Sequence, residues 1–238
     1  MNYYNEIDEK TAAWLRELIK QGHLPPGDVD TRSIIEVKPD DLKHYTQCHF
    51  FAGIGGWSLA LSLAGWSPDT PVWTGSCPCQ PFSTAGKGLA QKDGRHLWPV
   101  FFDLIRQCRP EHVFGEQVAS AIGHGWLDDL STDLETQDYA CGAAVLGAHS
   151  VQAPHQRQRL YWVANSVRSV GQGPLGWKDR GMGRKQQPFP WNRNWEHALR
   201  EFRAVDDGFS YGVEGCNGPR NAIVPQVAAE FIQAFLES

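Results

Sequence analysis

The sequence predicts an α/β protein built on a doubly wound, mostly parallel sheet. Short apolar runs of strand length alternate with stretches of helical period between residues 47 and 164, the pattern of successive βαβ units. The first of these runs ends in Phe51-Ala52-Gly53-Ile54-Gly55-Gly56 and leads directly into a helical stretch. Glycines at such a turn let the backbone bend sharply and let a ligand approach the helix N-terminus. A third observation is the closing amphipathic helix predicted over 221–236, which has an apolar face to return to a sheet.

The elements follow in order. Residues 8–21 predict a helix with Trp14, Leu15, Leu18 and Ile19 on one face and Gly22 as its stop. Pro25-Pro26-Gly27 breaks the chain, Gly27-Asp28-Val29-Asp30 reads as an acidic turn, and residues 33–37 read as a short strand. Residues 47–51 predict a strand, 57–64 a helix ended by Gly65, and 72–76 the next strand. A helix over 97–108 carries Leu97, Phe101, Leu104, Ile105 and Cys108 at helical spacing. A strand over 112–116, helix over 122–137, and strands over 139–146 and 159–164 complete the core. The organisation is therefore an acidic, partly helical extension (1–46), an α/β core (47–164), a short basic and Trp-rich segment (165–219), and a C-terminal helix returning to the core (220–238).

Composition narrows the class. The chain has 238 residues, 21% of them charged, and a net charge of −5. That length is sufficient for one domain with a full core. No apolar run reaches the ~18 residues of a membrane span, and the polar N-terminus carries no leader pattern, so a cytoplasmic protein is expected. Charge is unevenly spread. Residues 1–45 hold nine acids and six bases, whereas residues 165–205 hold eight bases (Arg168, Lys178, Arg180, Arg184, Lys185, Arg193, Arg200, Arg203) against three acids. Trp177, Trp191, Trp195 and Phe189 lie among those bases, a mixture suited to phosphates and unstacked bases, although a solvated loop has the same composition. The six cysteines are dispersed and read as thiols in a reducing compartment.

One cysteine stands apart. In Gly75-Ser76-Cys77-Pro78-Cys79-Gln80-Pro81-Phe82-Ser83 a thiol follows a strand on a proline-stiffened turn, the placement of a nucleophile. Cys77, two residues earlier, faces the opposite side if the stretch is extended. A zinc site is the rival reading, but zinc ligands usually come as Cys-x₂₋₄-Cys pairs and there is no second pair, so no metal is expected.

Pro78-Cys79-Gln80-Pro81-Phe82-Ser83 resembles the catalytic loop of the C5-cytosine DNA methyltransferases, and further motifs follow in that family's order. The turn 51–56 resembles its S-adenosylmethionine loop, which implies that Phe51 stacks on adenine while Gly53, Gly55 and Gly56 line the methionine end beside Pro78. Phe114-Gly115-Glu116-Gln117-Val118 resembles its Glu-Asn-Val motif, with Gln117 one methylene longer than the usual Asn. Ala153-Pro154-His155-Gln156-Arg157-Gln158-Arg159 resembles its Pro-Gln-x-Arg-x-Arg motif, with His155 in place of Gln. Asn221-Ala222-Ile223-Val224-Pro225 resembles its last motif, but Arg220 stands where Gly is usual. The resemblance implies a DNA cytosine-5 methyltransferase of the kind found in restriction–modification, acting on double-stranded DNA. Cys79 would add to a flipped cytosine, with Glu116, Arg157 and Arg159 holding the ring. Asn221 and Ala222 would lie near the cofactor, and Gln80, Ser83, Lys178, Arg180, Arg184, Lys185 and Arg193 would contact DNA.

One departure is large. Only 23 positions separate Gly56 from Cys79, whereas the family fits two further strand–helix units here and each takes about 30 residues. The expectation is a sheet truncated in its cofactor half, without the carboxylate that holds the ribose. Joining the first and fourth strands by one helix should preserve a right-handed crossover. The N-terminal extension is expected to rebuild part of the missing half, with Glu36, near the end of the strand read at 33–37, or Asp28 replacing the lost carboxylate, unless residues 1–45 are only a packing arm. The short segment 165–219 implies a small recognition site or help from a second subunit. The competing functions are a base-flipping DNA-binding relic without methyl transfer, and the same covalent chemistry with another one-carbon donor or with RNA.

Overall fold

The computed structural model describes residues 1–78, 97–153, 156–166 and 222–237. The sequence expectations for Cys79, Gln80, Ser83, Lys178, Arg180, Arg184, Lys185, Arg193 and Asn221 lie outside the described residues. Seven described strands form one sheet: β1 (Asn2–Asn5), β2 (Gly27–Asp30), β3 (Gln47–Phe50), β4 (Val72–Gly75), β5 (His112–Val118), β6 (Tyr139–Leu146) and β7 (Arg159–Ser166). Their order across the sheet is β2-β1-β3-β4-β5-β7-β6. The first five positions run parallel, and β7 is antiparallel to both its neighbours. Six described α-helices accompany them: α1 (Glu9–Lys20), α2 (Pro39–Leu42), α3 (Gly56–Ala64), α4 (Trp98–Cys108), α5 (Trp126–Glu135) and α6 (Pro225–Leu236). Among the described residues no helix is long and apolar enough to cross a membrane.

The α/β class, the core elements and the helix expected over 8–21 agree with the sequence reading; the strand expected over 33–37 does not. Residues 33–37 are not a strand. Ser33 caps a single 3-10 turn, Ile34–Glu36, and Glu36 closes the capping box by accepting the Ser33 N–H at 3.0 Å. The strands lie instead at Asn2–Asn5 and Gly27–Asp30. All four residues of β1 are buried. Tyr3 joins the core beneath α4 and Tyr4 the core beneath α1, the two-faced pattern of a central strand. The flanking asparagines disguise it. Asn2 donates to the Gln47 side chain at 3.3 Å and Asn5 to the Arg32 carbonyl at 2.9 Å, so both amides are satisfied inside the sheet. Tyr4 stacks on His49 and its hydroxyl meets Ser58 at 2.9 Å, which ties β1 to β3 and α3.

The sheet is therefore not truncated. The two positions beyond the glycine-loop strand β3 are filled by strands that precede it in the chain, where a doubly wound sheet of order 3-2-1-4-5 fills them with strands that follow.

This rearrangement changes the hand of one connection. α1, α3 and α6 pack on the face that carries Tyr4 and Phe114, and α2, α4 and α5 on the face that carries Tyr3 and Trp73. The steps β3–α3–β4 and β4–α4–β5 move the same way along the sheet with their helices on opposite faces, so their hands are opposite. The β1–α1–β2 and β2–α2–β3 steps share the hand of β4–α4–β5. Since such crossovers are overwhelmingly right-handed, the three that agree take that hand and β3–α3–β4 is left-handed. The right-handed join expected from sequence is corrected accordingly.

Gly55 anchors the junction. It adopts φ 82°, and a Cβ there would lie 2.3 Å from Leu24 Cδ1 and 3.1 Å from Leu15 Cδ1. A Gly55→Ala substitution is expected to destabilise the fold by about 2 kcal/mol, combining left-handed backbone strain with a clash against the N-terminal unit. Urea denaturation measures it.

Candidate active site

Strands β1, β3, β4 and β5 end at the same edge of the sheet, and antiparallel β7 begins there, with Arg159 opposite Val118. Carboxyl ends of parallel strands are where α/β folds bind ligands. A cavity of about 390 Å³ opens at this edge, within the usual size of a small-molecule site.

One side of the cavity is the glycine turn. Phe51, Gly53, Ile54 and Gly56 line it together with Trp57. Phe51 holds φ 52°, a strained value for an aromatic residue and one often found at functional sites. Its ring meets Phe101 edge-on at 6.2 Å. Gly53 is left-handed at φ 56° and donates its N–H to Glu6 Oε2 at 2.8 Å. Gly55 does not line the cavity, because its Cα faces Leu24 and Leu15. Gly56 packs against Ile223, so the turn before α6 forms part of the same wall.

Glu6 stands just past the end of β1, at the tip of the strand beside β3. Its Oε1 accepts the Asp8 N–H at 2.9 Å, and Asp8 in turn caps α1. Each Glu6 oxygen thus holds one backbone donor and keeps a lone pair for a ligand hydroxyl. Ile7 beside it lines the cavity while 64% exposed. The two carboxylates expected from sequence are elsewhere. Asp28 accepts the Tyr45 hydroxyl at 2.6 Å and Glu36 is used in its capping box; neither lines the cavity. Asn5-Glu6-Ile7-Asp8 repeats the strand–turn–helix layout of the glycine turn, and the Asp8 cap three residues before Thr11 is the sequence signal that locates it.

The other side of the cavity carries Glu116, Arg157, Arg159, Ala222 and Pro78. Glu116 is buried on β5, and Arg159 Nε contacts its Oε1 at 2.8 Å. Burial raises the Glu116 pKa above the ordinary carboxylate range, and Arg159 and Arg157 pull it part of the way back. Burial also lowers the pKa of Arg157. Arg157 adopts φ 28° and donates to the Ala222 carbonyl at 2.6 Å, joining the start of β7 to the turn before α6. A buried carboxyl paired with Arg159 and in the field of Arg157 can exchange a proton with a ligand and can accept from an amine. Cys77, by contrast, is 7% exposed with its thiol pKa pushed up by burial, so it is a neutral core thiol.

The residues fit S-adenosylmethionine: an acceptor-only carboxylate suits a ribose diol, Phe51 and Ile7 offer apolar faces to adenine, and the N-terminus of α3 presents backbone donors to a carboxylate.

The family described as C-5 cytosine-specific DNA methylase matches residues 67–199. The Type II methyltransferase M.HhaI of Haemophilus parahaemolyticus is 27% identical over 171 residues, covering 55% of this chain and 52% of that protein. The Type II methyltransferase M.AplI of Arthrospira platensis is 32% identical over 99 residues, covering 41% and 28%. The chain thus spans about half or less of the length of these relatives. A mutant DNMT2 from Spodoptera frugiperda aligns at TM-score 0.46 and 19% identity over 69% of this chain and 42% of that one.

Arg159→Ala leaves Glu116 buried with less compensation, and is expected to lower stability at pH 7 by about 3 kcal/mol. The loss should shrink as pH falls, because Glu116, with its pKa raised further, protonates and the uncompensated charge disappears. Urea titrations at pH 7 and pH 5 check both the size and the sign.

Proposed function

This chain belongs to the C-5 cytosine-specific DNA methylase family, and from that premise we propose that it transfers a methyl group from S-adenosylmethionine to carbon 5 of a cytosine in double-stranded DNA. The observation that carries the proposal is the meeting of Glu116, Arg157 and Arg159 with the Phe51–Gly56 turn and Glu6 around one cavity that Pro78, the residue before Cys79, also lines. The target base would leave the duplex to reach it, since its ring carbons are inaccessible in the stack.

Cys79 is the proposed nucleophile. Its thiolate forms a bond from sulfur to ring carbon 6. The electron pair of the 5,6 double bond shifts into the ring so that carbon 5 becomes nucleophilic, and nitrogen 3 takes the proton held by Glu116. The raised pKa of Glu116 supports this role, because it keeps the carboxyl protonated at a higher pH than an exposed glutamate. Arg159 donates to the cytosine carbonyl oxygen, and Arg157 holds the Ala222 turn against the site. When bound, S-adenosylmethionine supplies an electrophilic methyl group. After carbon 5 has taken it, a base removes the carbon 5 proton, the electron pair restores the 5,6 double bond, and the carbon–sulfur bond breaks to release Cys79. The proton on nitrogen 3 returns to Glu116.

Phe51, Gly53, Gly56, Pro78, Ala222 and Asn221 form the proposed cofactor wall. Glu6, in place of Glu36 or Asp28, would hold the ribose as an acceptor. Gln80, Ser83, Lys178, Arg180, Arg184, Lys185 and Arg193 are the proposed DNA contacts, and a second subunit is the further means of target recognition.

Incubation with S-adenosylmethionine and duplex DNA containing 5-fluorocytosine should give a covalent adduct that Cys79→Ser abolishes; an adduct that survives this change sinks the assignment. Glu116→Gln should slow adduct formation by about 10²–10⁴-fold and remove the limb of the pH profile that falls with rising pH. Calorimetry should show Glu6→Ala weakening S-adenosylhomocysteine binding by about 10–100-fold, the loss of charged hydrogen bonds, while Glu36→Ala and Asp28→Ala leave it unchanged.

A further inference from the structure

The parallel ladder between β4 and β5 stops at Gly75 opposite Gly115. Beyond it the chain runs through Ser76, Cys77 and Pro78 toward Cys79. Two side chains from neighbouring elements hold this exit. Trp57 of α3 donates its indole N–H to Ser76 Oγ at 3.0 Å. Gln117 of β5 donates its amide Nε2 to the Cys77 carbonyl at 3.2 Å, while its Oε1 accepts the Val118 N–H at 3.0 Å. Gln117 is 3% exposed and the Cys77 side chain is 7% exposed, so the bond is shielded from competing water. It replaces the ladder bond that the diverging backbones no longer make. Length matters here. An asparagine at 117 ends one methylene earlier and falls short of Cys77 from the same Cα.

We propose that Gln117 is a positioning residue for the nucleophile: its amide pins the Cys77 peptide and so fixes where the Pro78–Cys79 bond starts. Gln117 touches no reacting atom; it acts through two peptide units. The proposal rests on the reading of Cys79 as the nucleophile. It also accounts for a glutamine following Glu116, since only the longer amide spans the gap to this carbonyl.

The test compares wild type with Gln117→Glu, Gln117→Met and Gln117→Asn for single-turnover trapping on 5-fluorocytosine duplex DNA, S-adenosylhomocysteine affinity by calorimetry, and thermal melting. Gln117→Glu keeps the shape and the acceptor toward Val118 but donates to Cys77 only when protonated. It is expected to slow trapping more than 10-fold at pH 8 and to regain rate relative to wild type as pH falls. Gln117→Met should slow trapping at every pH, and Gln117→Asn should slow it without rescue at low pH. Cofactor affinity should stay within twofold throughout. Folded variants that trap at the wild-type rate overturn the proposal. So does a rate loss that tracks the melting temperature and cofactor affinity, which marks a purely structural role. A wild type that gives no adduct overturns the reading of Cys79 and this proposal with it, whereas adduct formation insensitive to residue 117 overturns the positioning role alone.

Discussion

Glu6 accepts the Gly53 backbone N–H at 2.8 Å, and the proposed cofactor side of the cavity depends on that contact. It joins a carboxylate at the tip of β1 to the turn at the tip of β3. A parallel sheet that grips a ribose beside a glycine turn needs an acceptor on the adjacent strand. Only 23 positions separate Gly56 from Cys79, so the chain between them cannot hold that strand. The strand comes from the other direction in sequence, with its register fixed by Asn2 opposite Gln47 and Asn5 opposite Phe50. Spatial order is kept while chain order is not.

The consequence falls on α3. A ligand site at the glycine turn needs a helix N-terminus there, on the face that also holds α6 and the Ala222 turn. After that helix the chain proceeds to β4 on the side away from β1, which makes the unit left-handed. The tight ends of α3 suit this path. Gly55 and Gly65 both sit at positive φ, so the chain enters and leaves the helix by left-handed turns that a β-carbon would strain. Apolar burial then holds the helix in place. Trp57, Ala60 and Leu61 pack against Val72, Phe114 and Val227, and Leu59 packs with Tyr4 and Leu15. The site geometry thus outweighs the general preference for one hand.

Legibility in the sequence followed the strength of local patterns. Glu116, Arg157 and Arg159 are recognisable because the motifs around them resemble the family's and follow in its order, and their meeting follows from an antiparallel pair whose register sets Glu116 opposite Tyr161. The glycine turn, a weak signal alone, gains its meaning from the same resemblance. β1 is not legible, because four residues with asparagine at both ends carry too little apolar period, and the burial of those asparagines depends on partners 25 to 45 positions away. β2 reads as a turn because its Asp28 and Asp30 are edge-strand charges. Glu36 looks available in sequence, but Ser33 three residues before it is a capping-box partner. The role of Gln117 rests on where two backbones diverge, which no local pattern encodes.

The central claim is that β1 forms part of the cofactor site rather than a packing arm. Hydrogen–deuterium exchange with and without S-adenosylhomocysteine tests it most directly. The account predicts slowed exchange on binding at Gly53, whose N–H is held by Glu6, at Asp8, and through β1 at Tyr3, Tyr4 and Asn5. Protection confined to residues 51–57, with residues 2–8 exchanging at the same rate in both states, would contradict it.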